Sequence, residues 1–171
     1  RVGMVQPNCG GYVAGAAARI AEGLELARED DPHRTHLLVE AARMAGHDRP
    51  DILHELADGR TLVDDARLGA RRAAIRRDST ATLGDAWRDG DTTYLCAVDG
   101  NGMGASLTQS NADVFGSHLT PPDLGVFLHN RGSGFNLDPG HSACYGPGRR
   151  PPHTHPPALV LLLYTYHPPP Q

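Results

Sequence analysis

Asp91-Thr92-Thr93-Tyr94-Leu95-Cys96-Ala97-Val98-Asp99-Gly100-Asn101-Gly102 is where this chain changes character. Thr93 to Val98 is a short run of β-formers, and Asp99 to Gly102 is a strong turn signal, because Gly and Asn tolerate the positive φ of a tight reversal. Ala105 to Gln109 reads as the returning strand. The pattern predicts an antiparallel hairpin, with no helix between Thr93 and Gln109, whose open end brings Thr92 and Gln109 side by side.

Upstream of that stretch the chain reads as helical. Gly11 to Arg28 carries Val13, Ala17, Ile20, Leu24 and Ala27 at three- and four-residue spacing, and His33 to Gly46 repeats the pattern with Leu37, Leu38, Ala41, Ala42 and Ala45. Asp31-Pro32 suits a helix start and Gly46 a stop. Val63 to Arg77 is a third candidate, acidic at its start and basic at its end, as the helix dipole favours. Ser79 to Asp91 has no period and reads as a polar linker. Downstream, Gly125 to Leu128 and Leu159 to Tyr166 are two further strand candidates. Eight of the 14 prolines fall between Pro147 and Pro170, so this end is loop-rich.

Charge follows the same division. Residues 1–91 hold 13 of the 16 Arg and 16 of the 20 acidic residues. The predicted organisation is therefore a helical part over 1–91 and a strand-and-loop part over 92–171, together α+β. At 171 residues, with 39% hydrophobic and 21% charged residues, the chain is neither a disordered tail nor a membrane span. Its longest apolar run, Ala158 to Leu163, falls far short of the roughly 20 residues a spanning helix needs. A net charge of -4 gives no nucleic-acid footprint. Three widely spaced cysteines make neither a disulfide framework nor a paired metal site. Arg1 opens the sequence with no initiator Met and no signal-peptide pattern, so a piece of a longer protein is expected.

A Thr at the start of a strand is ordinary, since β-branched residues favour strands, and composition alone makes Thr92 structural. The surrounding residues change that reading. Asp91 to Asp99 followed by Gly102 to Asn111 resembles the γ-glutamyltranspeptidase family. So do Phe115-Gly116-Ser117, Leu128-His129-Asn130-Arg131-Gly132-Ser133-Gly134-Phe135, Asp138-Pro139-Gly140-His141 and Gly146-Pro147-Gly148-Arg149-Arg150-Pro151. Upstream, His36 to Ala41 and His47-Asp48-Arg49 look like the helical segment near the end of that family's large subunit. The Asn-Arg-Gly-small-Gly-Phe loop is most similar to its γ-glutamyltranspeptidase-like and acylase-like members.

The resemblance implies a fold and a chemistry. The fold is part of the αββα sandwich of an N-terminal-nucleophile hydrolase, with the large subunit ending at Asp91 and the small catalytic subunit starting at Thr92. The implied reaction is hydrolysis or transfer of a γ-glutamyl or related amide, glutathione included, through an acyl-enzyme on Thr92. The Thr92 hydroxyl first attacks the Asp91 carbonyl, and hydrolysis of the resulting ester frees Thr92 as a new N-terminus. An α-amine with a pKa of about 7.7–8 then serves as the internal base. One residue thus supplies nucleophile and base.

Other family positions map onto this chain with changes. Gln109 takes the place of a second Thr that supports the nucleophile, flanked by Thr108 and Ser110. Asn111 matches the Asn near the substrate amino group. Gly134 stands where true transpeptidases carry an acid, Arg131 replaces an amide, and His153-Thr154 replaces the Ser-Ser pair that meets the glutamyl carboxylate. Gln109, Asn111, Arg131, His153 and Thr154 are thus the expected substrate-binding residues. The family's carboxylate-binding Arg lies upstream of Arg1 and its Gly-Gly oxyanion loop downstream of Gln171. The expected partners are therefore a small-molecule substrate and the remainder of both subunits. The rival expectation is a catalytically inactive fragment of such an enzyme, and this chain alone is expected to be inactive.

Neither a metal nor a cofactor is expected. His153-x-His155 with His141 and Cys144 has ligand residue types, but a Pro-rich loop promises no convergent geometry, and solvated loop histidines are the simpler reading. His33-x-x-His36 belongs to a structural helix. Gly100 to Gly104 lacks the Lys and the following helix of a phosphate loop and is the hairpin turn.

Overall fold

The computed structural model describes residues 2–4, 9–26, 31–83, 92–153 and 158–160. Strand β1 (Val2–Met4) precedes five helices, α1 (Gly11–Glu22), α2 (Pro32–Gly46), α3 (Arg49–Ile52), α4 (Gly59–Leu62) and α5 (Asp65–Ala74). Strands β2 (Thr93–Val98) and β3 (Gly104–Gln109) follow, then a short 3-10 turn at Arg131–Gly134 and strand β4 (Ala158–Val160). This is an α+β arrangement with helices before residue 92 and the hairpin after it, as the sequence predicts, but strand β1 opens the part expected to be wholly helical.

The helices start where local chemistry starts them. The Asp31 side chain accepts from His33 N at 2.8 Å at the head of α2, and Asp64 from Ala66 N at 3.2 Å at the head of α5. Their ends obey contacts from elsewhere. The periodicity predicts α1 through Arg28, yet it stops at Glu22. There the Arg72 guanidinium, reaching over from α5, donates from Nε to the Ile20 carbonyl at 3.2 Å and from Nη2 to the Arg19 carbonyl at 2.7 Å. It thereby satisfies carbonyls that a continuing helix would use itself. A Cβ at Gly23 would collide with that guanidinium. Helices α3 and α4 are single turns and leave no periodic trace.

Helices α1, α2 and α5 enclose a core of Ala16, Ile20, Leu37, Ala41, Met44, Ala45, Leu68 and Ile75. Small residues dominate the α1 and α2 faces, which lets the two backbones approach closely. Glu40 sits beside this core at 1% exposure. Its carboxylate accepts from the Ala81 N–H at 2.8 Å and from Arg43 Nη1, while Arg43 Nη2 donates to the Ala81 carbonyl at 3.0 Å. One ion pair on α2 thus holds both polar groups of the Ala81 backbone.

Asp48 closes the other end of α2. It accepts from Arg67 Nη2 at 3.0 and 2.9 Å and from both terminal nitrogens of Arg71. Burial works against its charge, but hydrogen bonds from Arg71 and Arg67 outweigh that and hold the carboxyl below the usual carboxylate range. The folded value lies below the unfolded one. The stabilisation is therefore present above the unfolded pKa of about 3.9 and fades as pH falls through the folded value. Asp48→Asn is expected to lower the melting temperature at neutral pH. It should also flatten the dependence of melting temperature on pH between about pH 5 and pH 2. An unchanged acid limb would contradict this role.

The strands form two antiparallel pairs. In the hairpin, Thr93 faces Gln109 and Val98 faces Gly104. Asp99 shapes the turn, its Oδ1 accepting from Asn101 N at 2.9 Å and Met103 N at 2.8 Å, with Gly102 at a φ of +84°. The second pair joins β1 to β4, Val2 opposite Val160 and Met4 opposite Ala158, so contacts cross the charge boundary at residue 91. Of the strand expected over Leu159–Tyr166, residues 158–160 are strand and 161–166 lie outside the described residues.

Gly125 to Leu128 is not a strand. Its one pair of backbone bonds runs between Leu128 and its opposite neighbours, Leu128 N to the Leu119 carbonyl at 2.9 Å and Ser117 N to the Leu128 carbonyl at 2.8 Å. Pro121 and Pro122 and the left-handed φ of +62° at Gly125 stop the pairing there. A Cβ on Gly116 would collide with the Leu128 carbonyl, so this close crossing requires glycine.

Candidate active site

Thr92 is exposed and immediately precedes β2, at the open end of the hairpin. Asp91 and Thr154 lie outside the described residues. Every residue of β2 is exposed, with Leu95 at 50% and Val98 at 75%, and in β3 only Thr108 is half-buried.

The register refines the expected neighbours of Thr92. Gln109 pairs with Thr93, one step away from the position expected for it. Directly after it come Ser110, Asn111 and Ala112, which turn sharply. Ala112 takes a left-handed φ of +79°, and its N–H donates to Ser110 Oγ at 3.0 Å. The sequence marks Ser110 only as a residue flanking Gln109. Counting across the hairpin turn is the signal that singles it out.

The Asn130–Arg131 loop is tied onto this turn. Asn130 N donates to the Asn111 carbonyl at 3.1 Å, Asp113 N donates to Asn130 Oδ1 at 3.1 Å, and Asn130 Nδ2 donates to Asp113 Oδ2. Arg131 is buried, at 6% exposure, and its Nη2 donates to Ser110 Oγ at 2.7 Å. Its backbone N–H donates to His129 Nδ1 at 3.2 Å. Burial lowers the Arg131 pKa, nearby Asp113 opposes that, and Arg49 adds to it. Of the expected binding residues, Asn111 and Arg131 thus meet in one knot just past the end of β3, and Gln109 is the strand residue that precedes it.

His153 belongs to a neighbouring strip. Its carbonyl accepts from Gly10 N at 3.1 Å beside an isolated parallel bridge to Cys9. Burial lowers its pKa, and the charges of Arg131, His129 and Arg150 lower it further. A Cβ at Gly134 would sit 3.3 Å from the Pro152 carbonyl, placing the 131–134 turn against this strip. Among the described residues no group of three or more His, Cys, Asp or Glu could hold a metal ion. None of their helices is long and apolar enough to cross a membrane.

The chain belongs to a known family. The gamma-glutamyltranspeptidase family model matches residues 1–166. Among its relatives, the oxamate amidohydrolase proenzyme of Klebsiella pneumoniae subsp. pneumoniae is 34% identical over 160 residues, covering 91% of this chain and 30% of the relative. The glutathione hydrolase-like YwrD proenzyme of Bacillus subtilis is 31% identical over 160 residues, 90% of this chain and 30% of the relative. The crystal structure of cephalosporin acylase from Bacillus halodurans superposes with a TM-score of 0.74 at 32% identity, over 92% of this chain and 30% of that one. The chain spans about 30% of the length of the curated relatives it matches.

Proposed function

We propose that this chain carries the nucleophile of an amide hydrolase that cuts itself between Asp91 and Thr92 and then forms an acyl-enzyme on Thr92. The observation that carries this reading is the position of Thr92, exposed at the hairpin's open end beside the knot of Ser110, Asn130 and Arg131. In that reading residues 1–91 end the large subunit and 92–171 begin the small one. The bare hairpin then takes its place inside an αββα sandwich completed by the rest of both subunits. The proenzyme names of the relatives support the self-cleavage, and the compounds printed in the names of the relatives and the solved structure, oxamate, glutathione and cephalosporin, set the range of amides to try.

Glutathione and other γ-glutamyl compounds are poor candidates within that range. Gly134 supplies no carboxylate for a substrate ammonium, and a lost charged hydrogen bond costs about 1.5–3 kcal/mol. Gln109, Asn111, Arg131, His153 and Thr154 remain the binding candidates. Denaturing mass spectrometry of the whole natural chain carrying these residues tests the reading. The expected result is two pieces, the second beginning at Thr92, and a substrate adduct on that second piece after rapid acid quenching. A chain that stays whole, or splits elsewhere, would refute it.

A further inference from the structure

We propose that Glu40 and Arg43 of α2 are positioning residues for self-cleavage, fixing at Ala81 the origin of the span that carries the Asp91–Thr92 bond. The inference rests on the reading of that bond as the one cut. Three observations carry it.

The first is what the pair grips. Glu40 is 1% exposed, and its carboxylate accepts from Ala81 N at 2.8 Å and from Arg43 Nη1. Arg43 Nη2 donates to the Ala81 carbonyl at 3.0 Å. Both polar groups of one backbone residue are thus taken, as a neighbouring strand would take them. An alanine offers no side chain to hold by polar contact, so the grip is on the main chain itself. Ala81 and Leu83 also pack against the core between α1, α2 and α5.

The second is that the holds form a series. His36, Glu40 and Arg43 share one face of α2 at four- and three-residue spacing. His36 Nε2 donates to the Arg76 carbonyl at 2.9 Å. Arg77 donates to the Glu25 carbonyl at 3.3 Å and to Asp31 Oδ2 at 3.0 Å. The chain leaving α5 is therefore held at Arg76, at Arg77 and then at Ala81.

The third is where the last polar hold falls. Eleven residues, 82–92, separate Ala81 from Thr93, which is paired with Gln109 in the hairpin. The bond before Thr92 lies within this span, next to its far end. Self-cleavage needs the Asp91 carbonyl brought onto the Thr92 hydroxyl, and a shorter span between fixed ends loses less entropy in reaching that geometry. Releasing Ala81, and with it the seat of Leu83, moves the last hold back to Arg77 and lengthens the span to fifteen residues, 78–92.

Denaturing mass spectrometry of the freshly made whole natural chain reads the rate of cleavage before Thr92, and no ligand need be known. Replacing a buried ion pair by apolar residues is often neutral or stabilising, so Glu40→Leu with Arg43→Met should melt near the wild type. That chain should nonetheless cut about twofold to tenfold more slowly, the lower figure being the entropy of the longer span alone. Inserting Gly-Ser-Gly-Ser after Leu83 lengthens the span without touching the grip, and should slow cleavage to a similar degree. Arg77→Ala loosens the same segment upstream of the last hold and should leave the rate unchanged, which a merely structural role for the segment would not do. Cleavage of the Glu40→Leu, Arg43→Met chain at the wild-type rate overturns the proposal, and so does an Arg77→Ala chain slowed as much as it. If the paired variant does not fold, the insertion decides, and a wild-type rate with four added residues overturns the proposal. A wild-type chain that is never cut before Thr92 overturns the nucleophile reading itself and this proposal with it.

Discussion

Thr92→Ala in the whole natural chain is expected to leave a single uncut polypeptide without amidase activity. Removing a hydrolase nucleophile costs on the order of a millionfold in rate, which puts cleavage beyond any practical incubation. Thr92→Ser keeps the hydroxyl and should still cut at the same bond, more slowly, because Ser lacks the methyl group that restricts the side-chain rotamer. Thr93→Ala is the informative control. Thr93 is one residue away and equally exposed, but its ladder partner is Gln109 and it projects from the other face of β2. It should therefore cut normally. A Thr92→Ala chain that still splits, now before Thr93, would move the nucleophile by one residue and sink the assignment.

Glu40→Ala is expected to lower the stability of the chain by about 3–5 kcal/mol, the scale for removing one partner of a buried ion pair. The damage is threefold: Arg43 loses its counter-charge, the Ala81 N–H loses its acceptor, and a cavity opens beside Ala41 and Met44. A typical domain is stable by only about 5–15 kcal/mol, so this substitution alone would bring it close to unfolding. Urea denaturation followed by circular dichroism at 222 nm measures it. Glu40→Gln keeps the shape and one acceptor and should cost less. A loss below about 1 kcal/mol for Glu40→Ala would mean that the ion pair offsets little more than its own desolvation.

The parts of this fold that were legible in the sequence are those decided locally. The hairpin was legible because Asp99, Gly100, Asn101 and Gly102 build the turn from their own side chain and backbone. The start of α2 was legible because Asp31 caps it from one position away. The end of α1 was not, since a guanidinium more than 50 positions downstream decides it. The β1–β4 pair was illegible for the same reason, with three residues at one end choosing three near the other. Gly125 to Leu128 misled because Val126 and Phe127 are strand formers by composition, whereas the prolines before them and the conformation of Gly125 decide the outcome.

The candidate site divides along the same line. Thr92 was found through the motif around it. Arg131 and Asn111 were found through theirs, but that they join through Ser110 and Asn130 is a fact of tertiary structure. Placing Gln109 opposite Thr93 and not Thr92 turns on a single position of register, and one residue more or less in the turn reverses which face each side chain takes.

The β1–β4 ladder bears on what a break at residue 91 would do. Val2–Met4 lies on one side of that break and Ala158–Val160 on the other, yet the two are zipped backbone to backbone. Gly10 is bonded to the His153 carbonyl alongside them, and Glu55 accepts from Arg150 N at 3.2 Å. Stretches on the two sides of residue 91 are thus already fastened to each other, and a nick in a fastened loop opens it without releasing two halves. The products would travel together through a sizing column and part only under denaturant. A native mass would then conceal a scission that a denaturing gel displays at once.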